Sequence, residues 1–215
     1  MLDNIFEIIW SIPAVLIAIT IHEYAHGRIA YRLGDPTAAQ AGRLTLNPLA
    51  HLDPIGTLML LIFRFGWAKP VPVNFNNLRQ PKRDMVYVSL AGPIANLITA
   101  ILFAIVFRIS YHFFSQISIA RDSNFLNLIT SFVKGWLLFL QTGIIIDLAL
   151  AIFNLIPIPP LDGSKILMGL LPVSLAYRYS KIESYGQIIL LFLVLSGIIG
   201  KILFPAVFFL YRYLI

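Results

Sequence analysis

The chain has 215 residues, 59% of them apolar and only 12% charged, with a mean hydropathy of +0.84. This composition excludes an ordinary soluble domain, a disordered chain, a coiled coil and a collagen-like repeat, and assigns the protein to a bilayer. The absence of cysteine excludes a disulfide framework, thiolate zinc, haem attachment and iron–sulfur ligation, so any metal must be held by His, Asp, Glu or water. The net charge of +6 does not indicate nucleic acid, because Arg79, Lys82 and Arg83 form no dense basic run and stand beside a long apolar segment, as juxtamembrane charge does.

At roughly 20 apolar residues per span, the length predicts an all-α polytopic membrane protein with about four to six transmembrane helices and a single domain over 1–215. The first helix is expected from Ile5 to about Tyr31, apolar through Thr20 and then carrying His22, Glu23, His26 and Arg28 before the Gly34-Asp35-Pro36 stop. The N-terminus lacks a basic n-region and a small-residue cleavage site, so this helix is expected to be retained. Residues 36–83 are broken by Pro48, Pro54, Pro70, Pro72 and Pro81, and their one strong apolar run, Leu58 to Phe63, is too short to span. A membrane-associated β-hairpin or re-entrant insert is expected there, with Arg43–Leu46 and Val71–Asn74 as its extended pieces. A second span is expected over about Met85 to Phe107, a polar linker over 108–130, and a third span over about Phe132 to Ile156. After Pro157-Ile158-Pro159-Pro160 come a short segment, Ser164 to Tyr179, and a last apolar stretch that bends near Gly200 and Pro205.

Eight of the sixteen Lys and Arg residues lie in the 28–83 segment, three in 157–184 and two in the 108–130 linker. By the positive-inside rule the first two segments are cytoplasmic and the linker extracytoplasmic. The N-terminus is then outside, and His22 and His26 lie toward the cytosolic end of the first helix.

His22-Glu23-Tyr24-Ala25-His26 is an H-E-x-x-H motif on an expected helix, where residues four apart share a face and both imidazoles can bind one zinc ion. Ionisable groups inside an apolar helix are costly, which makes function the default reading over a snorkelling helix end. They also require water, so the site must face a cavity within the bundle. A catalytic zinc needs a third protein ligand and an open position. The candidates are His51, Asp53, His112, Asp147, Asp162 and Glu183; His112 falls on the wrong side, whereas Asp162 follows the cytoplasmic end of the third span at a depth similar to the histidines. Asp147 would sit about 10 Å deeper than Asn154 on a regular helix, which favours a structural hydrogen-bond partner. Gly92 and Asn96, four apart on the second span, fit either close helix packing or a place beside the metal.

The motif His22-Glu23-x-x-His26, together with Asn154-x-x-Pro-x-Pro-x-x-Asp162-Gly163, resembles the site-2 protease family of intramembrane zinc metalloproteases. Ala91-Gly92-Pro93-Ile94-Ala95-Asn96, Gly42 to Pro48 and Gly66 to Asn74 are similar to further motifs of its compact prokaryotic members, which carry no PDZ or CBS domain. The resemblance implies that His22, His26 and Asp162 bind one Zn2+ per chain, that Glu23 is the general base, and that Asn154 steadies the tetrahedral intermediate. It implies single-span membrane proteins as substrates and an integral position in a prokaryotic cell (inner) membrane, with the active site opening to the cytoplasm. A transmembrane substrate must unwind before its peptide bonds can be reached, and the Arg43–Asn47 and Val71–Asn74 segments are candidates for holding it by β-addition. The alternative is a non-proteolytic metal-binding membrane protein or metal transporter, which would have no use for Glu23 beside the metal and would repeat its polar sites in two halves.

Overall fold

A computed structural model describes residues 2–56, 58, 68–115 and 124–215. Eight helices are defined in them: α1 (Leu2–Arg32), α2 (Thr37–Gln40), α3 (Pro81–Ser115), α4 (Asn124–Asn154), α5 (Asp162–Leu170), α6 (Val173–Ser180), α7 (Glu183–Leu195) and α8 (Ile198–Leu214). Single 3-10 turns occur at Pro48–His51 and Phe75–Asn77. The expected all-α class is what is observed.

Two helices, Pro81–Ser115 and the Ile129–Asn154 part of α4, are long and apolar enough to cross a membrane. A third crossing arises if α7 and α8, bent by 72° to one another, form one broken span. Length and composition alone therefore support two or three spans among the described residues, fewer than the four to six expected. Helix α3 also runs eight residues beyond the expected end at Phe107. Hydropathy falls there, but helix does not: about 35 residues at 1.5 Å each exceed a 30 Å hydrocarbon layer, and the polar overhang keeps its helical hydrogen bonds. Arg108 is tied down by a bond from Nη2 to the Tyr213 carbonyl. The expected linker residues 116–123 lie outside the described set.

Helices α1, α3 and α4 pack against one another, and α8 adds to α4. Ala100, Ala104 and Phe107 of α3 meet Leu140, Ile144 and Leu148 of α4, with Val207 of α8 closing the cluster. Small residues on one helix facing large ones on the other allow the close approach that drives helix association where lipid offers no hydrophobic gain. Trp136 packs against this core and donates Nε1–H to Ser110 Oγ at 3.0 Å.

The expected β-hairpin is not formed among the described residues, where the insert contributes only one isolated antiparallel bridge, Leu52 to Ala68. The reason lies in where its backbone donors go. Val71 N–H bonds to the Glu23 carboxylate and Asn74 N–H to Asp35, while prolines at 70 and 72 carry no N–H at all. Side chains of the neighbouring helix end thus take the place of a partner strand. Ala30, Leu78 and Val88 form a second small core that clamps the end of this segment between α1 and α3. The apolar run Leu58 to Phe63 lies outside the described residues except for Leu58.

Candidate metal and catalytic centre

His22 and His26 are one helical turn apart on α1 and almost fully buried. Asp162 opens α5, after a Pro-rich loop that ends α4 at Asn154 and turns the chain back toward α1. The close approach of α5 to the end of α4 requires Gly163, because a Cβ there would lie 2.5 Å from the Ile156 carbonyl oxygen. The three ligand atoms then converge: His22 Nε2 lies 3.2 Å and His26 Nε2 3.1 Å from Asp162 Oδ2, and the two Nε2 atoms are 3.0 Å apart.

Proton bookkeeping shows what this triangle is for. Asn96 Nδ2 donates to the Ala18 carbonyl at 3.0 Å, so its Oδ1 is the atom that faces His22 Nδ1, at 2.5 Å. That nitrogen must therefore be the protonated one. His26 Nδ1 likewise faces a pure acceptor, the Val88 carbonyl, at 2.7 Å. Both rings thus turn an Nε2 lone pair toward the Asp162 oxygen, a buried atom with no hydrogen-bond donor of its own. Three lone pairs at this spacing need a cation among them, and protons on both Nε2 atoms would point at each other across 3.0 Å. A tetrahedral zinc ion with bonds of about 2.0–2.1 Å requires ligand atoms about 3.3 Å apart. The observed triangle is close to that size, and the residues fit the metal.

Gly92 of α3 forms the floor of the centre. A Cβ at this position would lie 2.6 Å from His22 Nε2 and would also strike His26. Gly92 leaves room for the two imidazoles, and Asn96 one turn on contacts His22 Nδ1. Asp147 of α4 is fully buried and accepts from Asn96 Nδ2 at 2.5 Å, in agreement with its expected place as a hydrogen-bond partner.

Glu23 follows His22 on α1, half-buried, and its Oε2 accepts the Val71 N–H at 2.7 Å. Asn154 is not paired with any of these groups; its Nδ2 donates to the Leu150 carbonyl of its own helix at 3.0 Å. The remaining candidates fall elsewhere. His51 is buried and bonds through Nε2 to the Thr45 carbonyl at 2.8 Å, and Asp53 accepts the Gly56 N–H at 2.8 Å, as a capped turn does. His112 and Glu183 are exposed. Among the described residues, His22, His26 and Asp162 are the group with metal-ligand geometry. Two contributors, the Val71 amide and the Val88 carbonyl, have no sequence signature because they are main-chain groups.

The model of peptidase family M50 matches residues 10–197. YwhC of Bacillus subtilis (strain 168), named as a candidate zinc metalloprotease, is 38% identical over 198 residues, covering 91% of this chain and 84% of the relative. Rip2 of Mycolicibacterium smegmatis (strain ATCC 700084 / mc(2)155), named in the same way, is 28% identical over 207 residues, 92% of this chain and 71% of the relative. Rip2 of Mycobacterium tuberculosis (strain ATCC 25618 / H37Rv) is 29% identical over 202 residues, 91% and 70% of the two chains. No solved structure matches the chain. With a metal triangle that suits zinc, a glutamate beside it and a family match over most of its length, the chain belongs to peptidase family M50, the site-2 proteases, and is an intramembrane zinc metalloprotease.

Proposed function

We propose that His22, His26 and Asp162 hold the zinc, that Glu23 is the general base, and that the enzyme cuts single-span membrane proteins near the cytosolic face. The observation that carries this reading is the convergence of three lone-pair atoms within 3.2 Å beside a carboxylate tied to the backbone. Zinc, when bound, supplies Lewis acidity and lowers the pKa of a coordinated water toward about 7.

The protein's own groups do the rest. With Oε2 held by Val71, the other oxygen of Glu23 is left to accept the proton of the attacking water and return it to the leaving amine. Asn154 keeps one amide N–H beyond its bond to Leu150, and that donor offsets developing oxyanion charge once the side chain turns toward a bound substrate. Val73 N–H and C=O carry no bond from the described residues, two positions along from the amide that holds Glu23. An unwound substrate segment pairing with Val73 is delivered extended beside the base.

In this reading 1–215 is one membrane domain with four crossings: α1, α3, α4 and the bent pair α7–α8. The excess of basic residues in 28–83 and 157–184 supports a cytoplasmic insert and centre mouth with the N-terminus outside, and the membrane in this reading is the inner membrane of a prokaryotic cell. The test is Glu23→Gln in the full chain, with metal content measured and membrane-anchored substrates offered. Retained zinc with cleavage reduced by at least a hundredfold is expected. Unchanged cleavage removes Glu23 from the chemistry.

A further inference from the structure

We propose that Asp147 is a positioning residue of the metal centre, acting through Asn96 to fix the tautomer and ring orientation of His22; this rests on His22, His26 and Asp162 being the zinc ligands. The chain of contacts is continuous and buried. Asp147 Oδ1 accepts from Asn96 Nδ2 at 2.5 Å, Asn96 Oδ1 accepts from His22 Nδ1 at 2.5 Å, and Asn96 and Asp147 have no exposed surface.

A carboxamide has a pseudo-symmetric alternative, rotated by 180°, in which nitrogen and oxygen exchange places. In that orientation Asn96 would present N–H to His22 Nδ1, the ring proton would move to Nε2, and the lone pair needed for the metal would be lost. Two acceptors oppose the rotation, the Ala18 carbonyl and Asp147 Oδ1, and together they use both N–H groups of Asn96. Among the described residues Asp147 makes no other hydrogen bond, and its Oδ2 is buried without a partner. Its bond to Asn96 is what its side chain does in this fold. Partners outside the coordination sphere that orient a ligating imidazole typically change metal affinity by about 10–100-fold when removed. Here the carboxylate acts through an intervening amide. Helix α4 therefore serves the centre twice, by steering His22 through Asp147 and by leading the chain to Asp162 beyond its C-terminal end.

The experiment measures zinc affinity by chelator competition, and the visible absorption of the cobalt-loaded protein, for the full chain in detergent. The set is wild type, His26→Ala, Asp147→Leu and Asp147→Asn. Asp147→Leu removes the acceptor and is expected to lose about 10–100-fold in affinity with an altered cobalt spectrum, while Asp147→Asn keeps an acceptor oxygen and retains most of the affinity. Equal affinity of Asp147→Leu and wild type overturns the proposal, as does equal loss in the Leu and Asn variants. If His26→Ala binds zinc as well as wild type, the ligand assignment itself has failed, a distinct result. Should Asp147→Leu not fold, the exchange decides: Asn96→Asp opposes two carboxylates and weakens zinc binding, and adding Asp147→Asn restores a donor between 147 and 96. Zinc affinity of the double variant no better than that of Asn96→Asp also overturns the proposal.

Discussion

The amide of Val71 donates its proton to the side chain of Glu23 at 2.7 Å, across 48 positions of sequence. The glutamate is thereby held in one rotamer by a stretch of backbone that Arg43 in turn secures, its Nη2 lying 2.9 Å from the Lys69 carbonyl. A hydrogen bond to a charged group is worth about 1.5–3 kcal/mol.

Replacing Val71 with proline removes that donor and leaves the metal ligands untouched. Turnover should fall about 10–100-fold, at 1.36 kcal/mol per tenfold, with zinc content at the wild-type level. Steady-state cleavage and metal analysis of Val71→Pro check this. Wild-type turnover would show that Glu23 is placed without the amide.

Gly92→Ala puts a methyl group 2.6 Å from His22 Nε2, in the space the proposed metal ligands share. The helix itself tolerates alanine well. The variant should fold and reach the membrane, yet bind zinc at least about a hundredfold more weakly. Metal content after purification at matched expression is the readout, and full occupancy would mean that α1 and α3 can separate without loss of the site.

Removing the metal leaves three acceptor atoms within 3.2 Å of one another, so chelation should destabilise the fold. Zinc at a thousand times its dissociation constant contributes about 4 kcal/mol. Thermal unfolding with and without chelator should differ by several degrees for the wild type and not for a His22→Ala, His26→Ala double variant. An equal response in both would place the stabilising metal elsewhere.

Asp35 gives the insert a defined acid sensitivity. Burial works against its ionisation, but donors from Thr37, Asn77 and Asn74 outweigh that and lower its pKa below the ordinary carboxylate value. A lowered native pKa means that the stabilisation is fully present above the unfolded value of about 3.9 and is lost as pH falls through the native one. Limited proteolysis of the insert should therefore accelerate below about pH 4 in the wild type. Asp35→Ala removes the acceptor of four donor groups, the Thr37 N–H and hydroxyl, the Asn74 N–H and the Asn77 amide, and should show the fast cleavage already at neutral pH. Slow cleavage of the variant at pH 7 would show that the insert is held without Asp35.

Much of the centre was legible in one dimension because helical periodicity is a local property. His22 and His26 share a face whatever surrounds them, and Glu23 between them is displaced from it by the same geometry. The Pro-rich run before Asp162 announced a chain leaving helix, and the apolar spans announced the bilayer. The hairpin pairing expected for the insert is absent among the described residues for an equally physical reason. Alternating prolines and valines suit an edge strand, but whether an edge is paired with a strand or with side chains depends on what lies opposite, and here Glu23 and Asp35 lie opposite. The length of α3 was underestimated because hydropathy reports where lipid ends, whereas helix continues as long as its hydrogen bonds do.

What the amino-acid order determined by itself was the chemistry available: two imidazoles, a base and a carboxylate in a cysteine-free, lipid-soluble chain. Only the tertiary packing of α1, α3 and α4 decided which nitrogen of each imidazole carries the proton, since that depends on Asn96, Asp147 and the Val88 carbonyl arriving from other helices. A tautomer is set by the partner across the gap, and side chains more than seventy residues apart in sequence become partners only when the helices that carry them meet.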